Sequence, residues 1–168
     1  MNTEYRVHHN MPFQAVVKAP GFSVGIRCNE KEIVGIQYLE SQPILAPENP
    51  LAKQAARQLD AYLDDPAFDF TLPLRPAGTV FQQKVWQAIQ AIACGKSLSY
   101  GDVAKAIGSA PRAVGQACGA NPYPLIVPCH RVIAADGSLG GFSGHRDGFL
   151  PNIKRWLLKH EGHRNAIW

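Results

Sequence analysis

The sequence predicts an α+β protein in two parts. Residues 1–76 read as a small antiparallel sheet domain with one helix, and residues 77–168 as a mainly helical domain containing a helix-turn-helix. Three observations predict this. Short β-branched runs separated by turn residues fill the first forty positions. Two capping-box patterns open apolar-periodic stretches, at Thr79-x-x-Gln82 and Ser99-x-x-Asp102. Between the two kinds of pattern lies "DDPAFDFTLPLRPAG", rich in breakers and turn formers, which reads as a linker.

The strands are "QAVVKAP", "FSVGIRCN" and "EIVGIQYLE". Pro20-Gly21 turns the chain after the first, and "NEKE" reads as a hairpin loop before the third. Asn49 is placed to N-cap a helix with Pro50 at its first position, and Leu51, Ala55, Leu59, Tyr62 and Leu63 give that helix an apolar stripe. In the second part, "VFQQKVWQAIQAIACG" turns Phe81, Val85, Ile89 and Ile92 one way, and Gly95 ends it. "YGDVAKAIG" follows, Gly108-Ser109 turns the chain, and Ser109 is expected to cap a helix starting near Pro111, "PRAVGQACGAN". Two short helices joined by a tight Gly-containing turn make a helix-turn-helix candidate. The last helix, "NIKRWLLKHEG", should bury Ile153, Trp156 and Leu157 and stop before Gly162.

At 168 residues the chain holds one well-buried core, or two small domains sharing an interface. No apolar run approaches the ~20 residues that cross a bilayer. The N-terminus, "MNTEYRVHHNMPF", lacks the layout of a secretion signal, so the expected location is the cytoplasm. The four cysteines, Cys28, Cys94, Cys118 and Cys129, form no CxxC and no zinc-ligand spacing. They should be free thiols, with Cys28, Cys94 and Cys118 as packing residues. The formal net charge is +4. Residues 1–83 carry seven Lys and Arg against nine Asp and Glu, a net of −2, and residues 84–168 carry ten against four, a net of +6. A basic half joined to a mildly acidic one suggests that one half meets a polyanion, with uneven solubilising charge as the competing reading.

The second helix of the pair is poorly equipped to read base edges. It offers Ala113, Val114, Gly115, Ala117, Cys118, Gly119 and Ala120, and only Arg112 and Gln116 reach far. Small residues let a backbone approach a phosphate ridge or shallow groove whatever the sequence, and equally let two helices pack tightly. Arg112 stands at the helix start, where the dipole disfavours a cation, so it wants an external partner.

Cys129 lies in "NPYPLIVPCHRVIAADGSLGGFSGH", followed by two potential cations, His130 and Arg131. An unperturbed thiol, with a pKa of about 8.5, is only a few per cent thiolate at neutral pH. Positive neighbours raise that fraction, and His130 is placed to act as base, directly or through a water. Such a histidine needs its other nitrogen oriented, usually by a carboxylate, and Asp136, Asp147 and Glu161 are candidates. Glu161 ends the last helix, where a negative charge opposes the dipole and needs a compensating contact. A buried thiol beside a surface histidine is the other reading of the pair.

"NPYPLIVPCHRVI", with "RAVG…NP" before it and "GGFSG" and "KRWLLKHEG" after it, resembles the 6-O-alkylguanine-DNA alkyltransferase family, the methylated-DNA–protein-cysteine methyltransferases, over residues 79–162. The first part is similar to that family's smaller sheet domain in general layout. The resemblance implies a ribonuclease-H-like N-terminal domain and a winged-helix-like C-terminal domain. It implies direct-reversal repair by a monomer that meets double-stranded DNA at the minor groove, with no cofactor and no metal. An alkyl group, such as methyl, moves from 6-O-alkylguanine, with 4-O-alkylthymine as a candidate second substrate, to Cys129 after the nucleotide is flipped out.

By the same resemblance Cys129 is the acceptor, His130 the base working through a water, and Glu161 the carboxylate that orients it. Asn121 ties the recognition helix to the active-site segment. Tyr100 helps rotate the nucleotide and donates a proton to the departing guanine. Val132, Phe142 and Ser143 form the pocket wall. Arg112 is the finger that replaces the flipped base, and Ala113, Gly115, Gln116 and Arg131 lie with it on the DNA side. Two features depart from the family pattern. Phe142 stands where Tyr is frequent, which keeps stacking and loses a hydroxyl. "GHRDGFLPNIK" is longer than the usual linker and adds His145 and Arg146 near the DNA side. Both bear on substrate preference rather than on chemistry.

The reaction so implied is a one-step displacement that leaves a thioether, outside reversible thiol–disulfide chemistry, so each molecule acts once. Damage-sensing relatives that flag lesions without removing them lack the cysteine, which is present here. A cysteine hydrolase with a Cys–His dyad would need an acyl site and an oxyanion hole, for which no other motif speaks.

Overall fold

In the computed structural model, which describes residues 11–140 and 148–163, the β-branched runs form β1 (Ala15–Ala19), β2 (Phe22–Cys28) and β3 (Ile33–Glu40), an antiparallel sheet in the order β1-β2-β3. Ala19 pairs with Phe22 across the Pro20-Gly21 turn. At the second turn Asn29 Oδ1 accepts the amides of Lys31 and Glu32 at 2.8 and 2.9 Å, a side-chain mimic of a backbone turn. Gly25, in mid-β2, lies against the Phe13 ring, which a Cβ there would overlap. The Arg27 guanidinium in turn stacks on that ring at 3.9 Å.

Asn49 caps α1 (Pro50–Asp64) by accepting the Ala52 N–H at 2.8 Å, with Pro50 in the first turn. Leu51, Ala55, Leu59 and Tyr62 are buried on the sheet side of the stripe, while Leu63 is only half-buried.

Most of the tract expected as a linker is part of this unit instead. Ile33 N–H donates to Pro73 O at 2.8 Å and Arg75 N–H to Ile33 O at 2.9 Å, so Leu74 pairs with Ile33 at the edge of β3. The Gln58 amide holds Thr71 through two bonds of 2.9 Å, and Arg75 pairs with Glu32 at 2.8 Å. Leu45 pairs with Val16 at the other edge. Prolines suit such edge positions, where one side of the backbone has no ladder to complete. The chain divides into two compact units, Met1–Pro76 and Ala77–Trp168.

The second unit contains α2 (Val80–Gln90), α3 (Tyr100–Ile107), α4 (Pro111–Gly119) and α5 (Phe149–His160), with β4 (Leu98–Ser99) parallel to β5 (Val132–Ile133). Both capping boxes form, Thr79 with Gln82 and Ser99 with Asp102. The resulting layout, a small antiparallel sheet unit followed by a helix-turn-helix unit, is the α+β class that the sequence predicts.

Three details differ from expectation. First, α2 ends at Gln90, short of Gly95. The chain beyond it buries Ile92 and turns its carbonyl to Arg131 Nη1 at 2.7 Å. Second, Ser109 does not cap α4. Its N–H closes α3 on Ala104 O at 2.8 Å, after Gly108 has taken the left-handed conformation (φ 69°), and Ala110 stands at the N-cap without a side-chain bond. Third, Trp156 is half-buried and stacks on His160, while Lys154 and Leu158 join Ile153 and Leu157 on the buried face of α5. Trp86 Nε1 donates to Ala117 O at 2.9 Å and fixes α4 to α2. No helix among the described residues is long and apolar enough to cross a membrane.

Candidate active site

The Cys129 segment is held by tight turns. Leu125 is the one non-glycine residue with positive φ (74°) among the described residues. Val127 N–H donates to Tyr123 O and Cys129 N–H to Val127 O, both at 2.8 Å, and Cys129–Arg131 form a single 3-10 turn. Asn121 organises the loop. Its backbone N–H donates to Cys118 O at 3.2 Å, which joins it to the end of α4. Its Oδ1 accepts the Tyr123 N–H at 2.9 Å, and its Nδ2 donates to Val127 O at 2.9 Å and to Cys129 Sγ at 3.2 Å. One side-chain amide therefore sets both the loop and the sulfur.

His130 and Glu161 lie together in the interior. Nε2 of His130 is 2.7 Å from Oε1 of Glu161, with both side chains 1% exposed. Arg131 Nε and Nη2 donate to the same carboxylate at 2.9 and 3.0 Å. Burial pushes Glu161 up, but the hydrogen bonds and charges of His130 and Arg131 outweigh it and hold the carboxyl at about 2. Burial pushes His130 down, against the pull of Glu161 and with the added effect of the Arg131 and Lys154 charges. A neutral imidazole next to an ionised carboxylate carries its proton on Nε2. Nδ1 is then a lone-pair acceptor, buried and without a hydrogen-bond partner among the described residues.

Arg131, expected on the DNA side, points inward. Its guanidinium is committed to Glu161 and to the Ile92 carbonyl, and its side chain is 13% exposed, so its charge offsets Glu161 instead of meeting a phosphate. This also supplies the contact that a carboxylate at the C-cap of α5 requires.

Two functional groups lay outside the expected set. Cys118, on α4, was expected to be a packing residue, yet its thiol and that of Cys129 perturb each other's ionisation. The neighbouring Cys129 thiol holds Cys118 below its ordinary value against the effect of burial, while the neighbouring Cys118 thiol and burial push Cys129 up. Lys154 is fully buried on α5, and its Nζ donates to Val132 O at 2.6 Å, to Leu139 O at 3.0 Å and to Tyr100 Oη at 3.5 Å. Burial pushes its ammonium down to about 8, with the two thiols acting in the opposite sense. A lysine within the apolar stripe of "NIKRWLLKHEG" was the available signal for it. Tyr100 sits at the start of α3, and burial, followed by the charges of Cys118 and Cys129, pushes its phenol well up.

The side chain of Val132 is fully buried, its N–H donates to Cys129 O and its carbonyl accepts from Lys154. On α4, Val114 and Ala117 face the core, Arg112 and Gln116 are exposed, and Ala113 and Gly115 are half-buried. A Cβ on Gly115 would stand 4.0 Å from the Tyr100 ring, so this face of α4 runs beside the cluster. Phe142, Ser143, His145 and Arg146 lie outside the described residues. The geometry brings together Tyr100, Asn121, Cys129, His130 and Glu161, with Cys118 and Lys154 added, as a buried thiol beside a neutral imidazole oriented by a carboxylate.

A family model described as 6-O-methylguanine DNA methyltransferase, DNA binding domain, matches residues 80–163. The chain is 48% identical over 119 residues to the constitutive methylated-DNA–protein-cysteine methyltransferase of Bacillus subtilis, a match covering 68% of this chain and 72% of that one. It is 42% identical over 135 residues to the methylated-DNA–protein-cysteine methyltransferase of Mycobacterium leprae, covering 79% of each. The crystal structure of Mycobacterium tuberculosis OGT in complex with DNA superposes with a TM-score of 0.74 at 37% identity, over 87% of this chain and 90% of that one. With the second unit matched by the family model and the likeness to these relatives extending over most of its length, the chain belongs to the 6-O-methylguanine DNA methyltransferase family.

Proposed function

We propose that this protein repairs DNA by direct reversal, moving the alkyl group of 6-O-alkylguanine onto Sγ of Cys129. The observation that carries this reading is the state of His130. Its Nε2 is fixed on Glu161, and its Nδ1 is a buried acceptor without a partner among the described residues, one residue from the sulfur. The thiol proton passes to Nδ1, directly or through one water. The sulfur then attacks the alkyl carbon, the S–C bond forming as the C–O bond breaks. The guanine leaves as an anion, which takes a proton from the Tyr100 hydroxyl, with the Lys154 ammonium at 3.5 Å balancing the charge. The thioether product does not revert, so each molecule acts once.

The second unit, residues 77–168, serves as the DNA-binding and alkyl-acceptor domain. Ala113, Gly115 and Gln116 let α4 approach the minor groove, and Arg112 fills the gap left by the flipped nucleotide. All four cysteines are free thiols, which suits a cytoplasmic location.

Intact-protein mass spectrometry after exposure to a methylated-guanine duplex tests this. The expected result is a gain of one methyl group, mapped to Cys129 and saturating at one equivalent. Multiple turnover with Cys129 unmodified would overturn it.

A further inference from the structure

We infer that Arg131 is a positioning residue of the reaction: tethered to the Ile92 carbonyl, it occupies the Glu161 carboxylate so that His130 stays a neutral imidazole whose Nδ1 can take a proton. Three N–H groups of the guanidinium are engaged. Nη1 donates to Ile92 O at 2.7 Å, Nε to Glu161 Oε2 at 2.9 Å and Nη2 to Glu161 Oε1 at 3.0 Å. Oε1 is therefore shared between Arg131 and Nε2 of His130, which lies 2.7 Å from it. The frame that aims the guanidinium is closely packed. Ile92 is buried, and the turn after α2 lies against the C-cap of α5, where a Cβ on Gly95 (φ 79°) would stand 3.2 Å from Glu161 O. A planar fork pinned by its third donor meets both carboxylate oxygens in one orientation.

The consequence follows from charge. Net charge in a buried cluster is costly. Arg131 and Glu161 cancel, so a neutral His130 completes a neutral cluster. Without the guanidinium, the same cluster reaches neutrality by taking a proton from solvent onto His130. The imidazolium then carries N–H on both nitrogens, and Nδ1 can no longer accept. Lys154, buried on α5, opposes protonation of His130 as Arg131 does, and Glu161 favours it. The elements packed against this turn are α2, the turn after it and α5. Their other lysines, Lys84, Lys96 and Lys159, are exposed, and Arg155 donates to Asn152 at 2.8 Å. Cys94 is half-buried, His160 stacks on Trp156, and His163 bonds Ser97 Oγ at 2.9 Å.

The role in repair rests on the proposed reading of His130 as the base for Cys129. Glu161 strengthens that base and Arg131 limits it. Held neutral beforehand, His130 receives the proton of Cys129 Sγ on Nδ1 as the S–C bond forms, and the imidazolium so made stays bonded to Glu161. The proton state of His130 itself does not depend on that reading.

The full chain, without DNA and labelled with nitrogen-15 at its six histidines, is titrated by NMR, the His130 signals being those lost in His130→Gln. In wild type at neutral pH the expected pattern is a protonated Nε2 and a bare Nδ1. Arg131→Gln, which keeps a donor but no charge, should move the His130 midpoint to higher pH. Arg131→Lys, which keeps the charge, should return it towards wild type. The acid limb of single-turnover alkyl transfer should follow, with Arg131→Gln slowed about tenfold for each pH unit of the move and recovering at alkaline pH. A merely structural role lowers the rate equally at every pH. A doubly protonated His130 in wild type at neutral pH would overturn the inference whether or not the variants fold, as would an unmoved midpoint in Arg131→Gln. If the midpoint moves while the acid limb of transfer stays, control of the His130 proton by Arg131 stands and His130 as the base for Cys129 falls.

Discussion

Oε1 of Glu161 lies 2.7 Å from Nε2 of His130, and the two side chains are almost completely enclosed. One carboxylate thereby fixes the tautomer of the imidazole next to Cys129. It also receives the Arg131 guanidinium, so its negative charge is compensated without drawing the proton from the histidine. The arrangement joins the 3-10 turn at Cys129 to the C-terminus of α5, and its consequences can be measured in both stability and rate.

Stability should fall on acidification in a defined sense. Glu161 is held at about 2 from an ordinary value of 4.5, so the unfolded chain binds a proton there before the folded one does. The stabilisation is present above 4.5 and is lost as pH falls towards 2. His130 acts in the same direction, because its lowered pKa makes the unfolded chain the better proton acceptor as pH drops below 6.5. The Glu161 contribution is up to about 3 kcal/mol. Urea midpoints measured across this range should decline from below 6.5 and most steeply between 4.5 and 2. Glu161→Gln should flatten the lower part of the curve, and an unchanged slope in that variant would refute the assignment.

His130→Ala should slow single-turnover alkyl transfer by about 10²–10⁴-fold at neutral pH, the range typical of a lost general base. The defect should shrink towards alkaline pH, where solvent removes the thiol proton. A purely structural role would leave the defect independent of pH. Rapid-quench measurements on a methylated duplex, with folding checked by circular dichroism, separate the two.

The sequence carried much of this organisation because its signals are local. The capping boxes at Thr79 and Ser99, the Pro50 helix start and the β-branched runs act within a few residues, and each formed where the pattern placed it. The failures were tertiary. Residues 91–95 contain no early breaker, yet α2 stops at Gln90, and the Ile92 carbonyl beyond it accepts from Arg131, a partner 39 residues away. The run from Asp64 to Gly78 looked like a linker because its prolines forbid a central strand, but they permit an edge, and Ile33 offered one. Cys118 and Lys154 were hidden for the same reason: a thiol among small residues and a lysine in an apolar stripe declare their roles only when α4, α5 and the Cys129 loop converge. Arg131 looked like a surface cation until its carboxylate was found inside.

Lys154→Met should destabilise the second unit. Its ammonium satisfies the buried carbonyls of Val132 and Leu139, and each carbonyl left without a donor costs roughly 1–3 kcal/mol, partly offset by no longer burying a charge. The denaturation midpoint should drop, and Lys154→Arg should not restore it, because a planar guanidinium does not fit a site built for a point donor. A midpoint equal to wild type in Lys154→Met would show that the two carbonyls find other donors.

Arg112 is exposed near the start of α4, where the helix dipole disfavours a cation, so its retention there calls for a partner outside the fold. In the proposed finger role it would act only when a nucleotide must leave a stack. Extrusion costs a few kcal/mol. If the side chain offsets about 1–2 kcal/mol of this, Arg112→Ala should slow transfer from duplex DNA by roughly five- to thirty-fold. Reaction with free 6-O-alkylguanine base requires no flipping and should be unchanged, which makes the ratio of the two rates the informative quantity. Gln116→Ala, on the same exposed face, should weaken duplex binding less and leave that ratio closer to wild type. Equal losses on duplex and free base in Arg112→Ala would instead place its effect on the Cys129 pocket and remove the finger role.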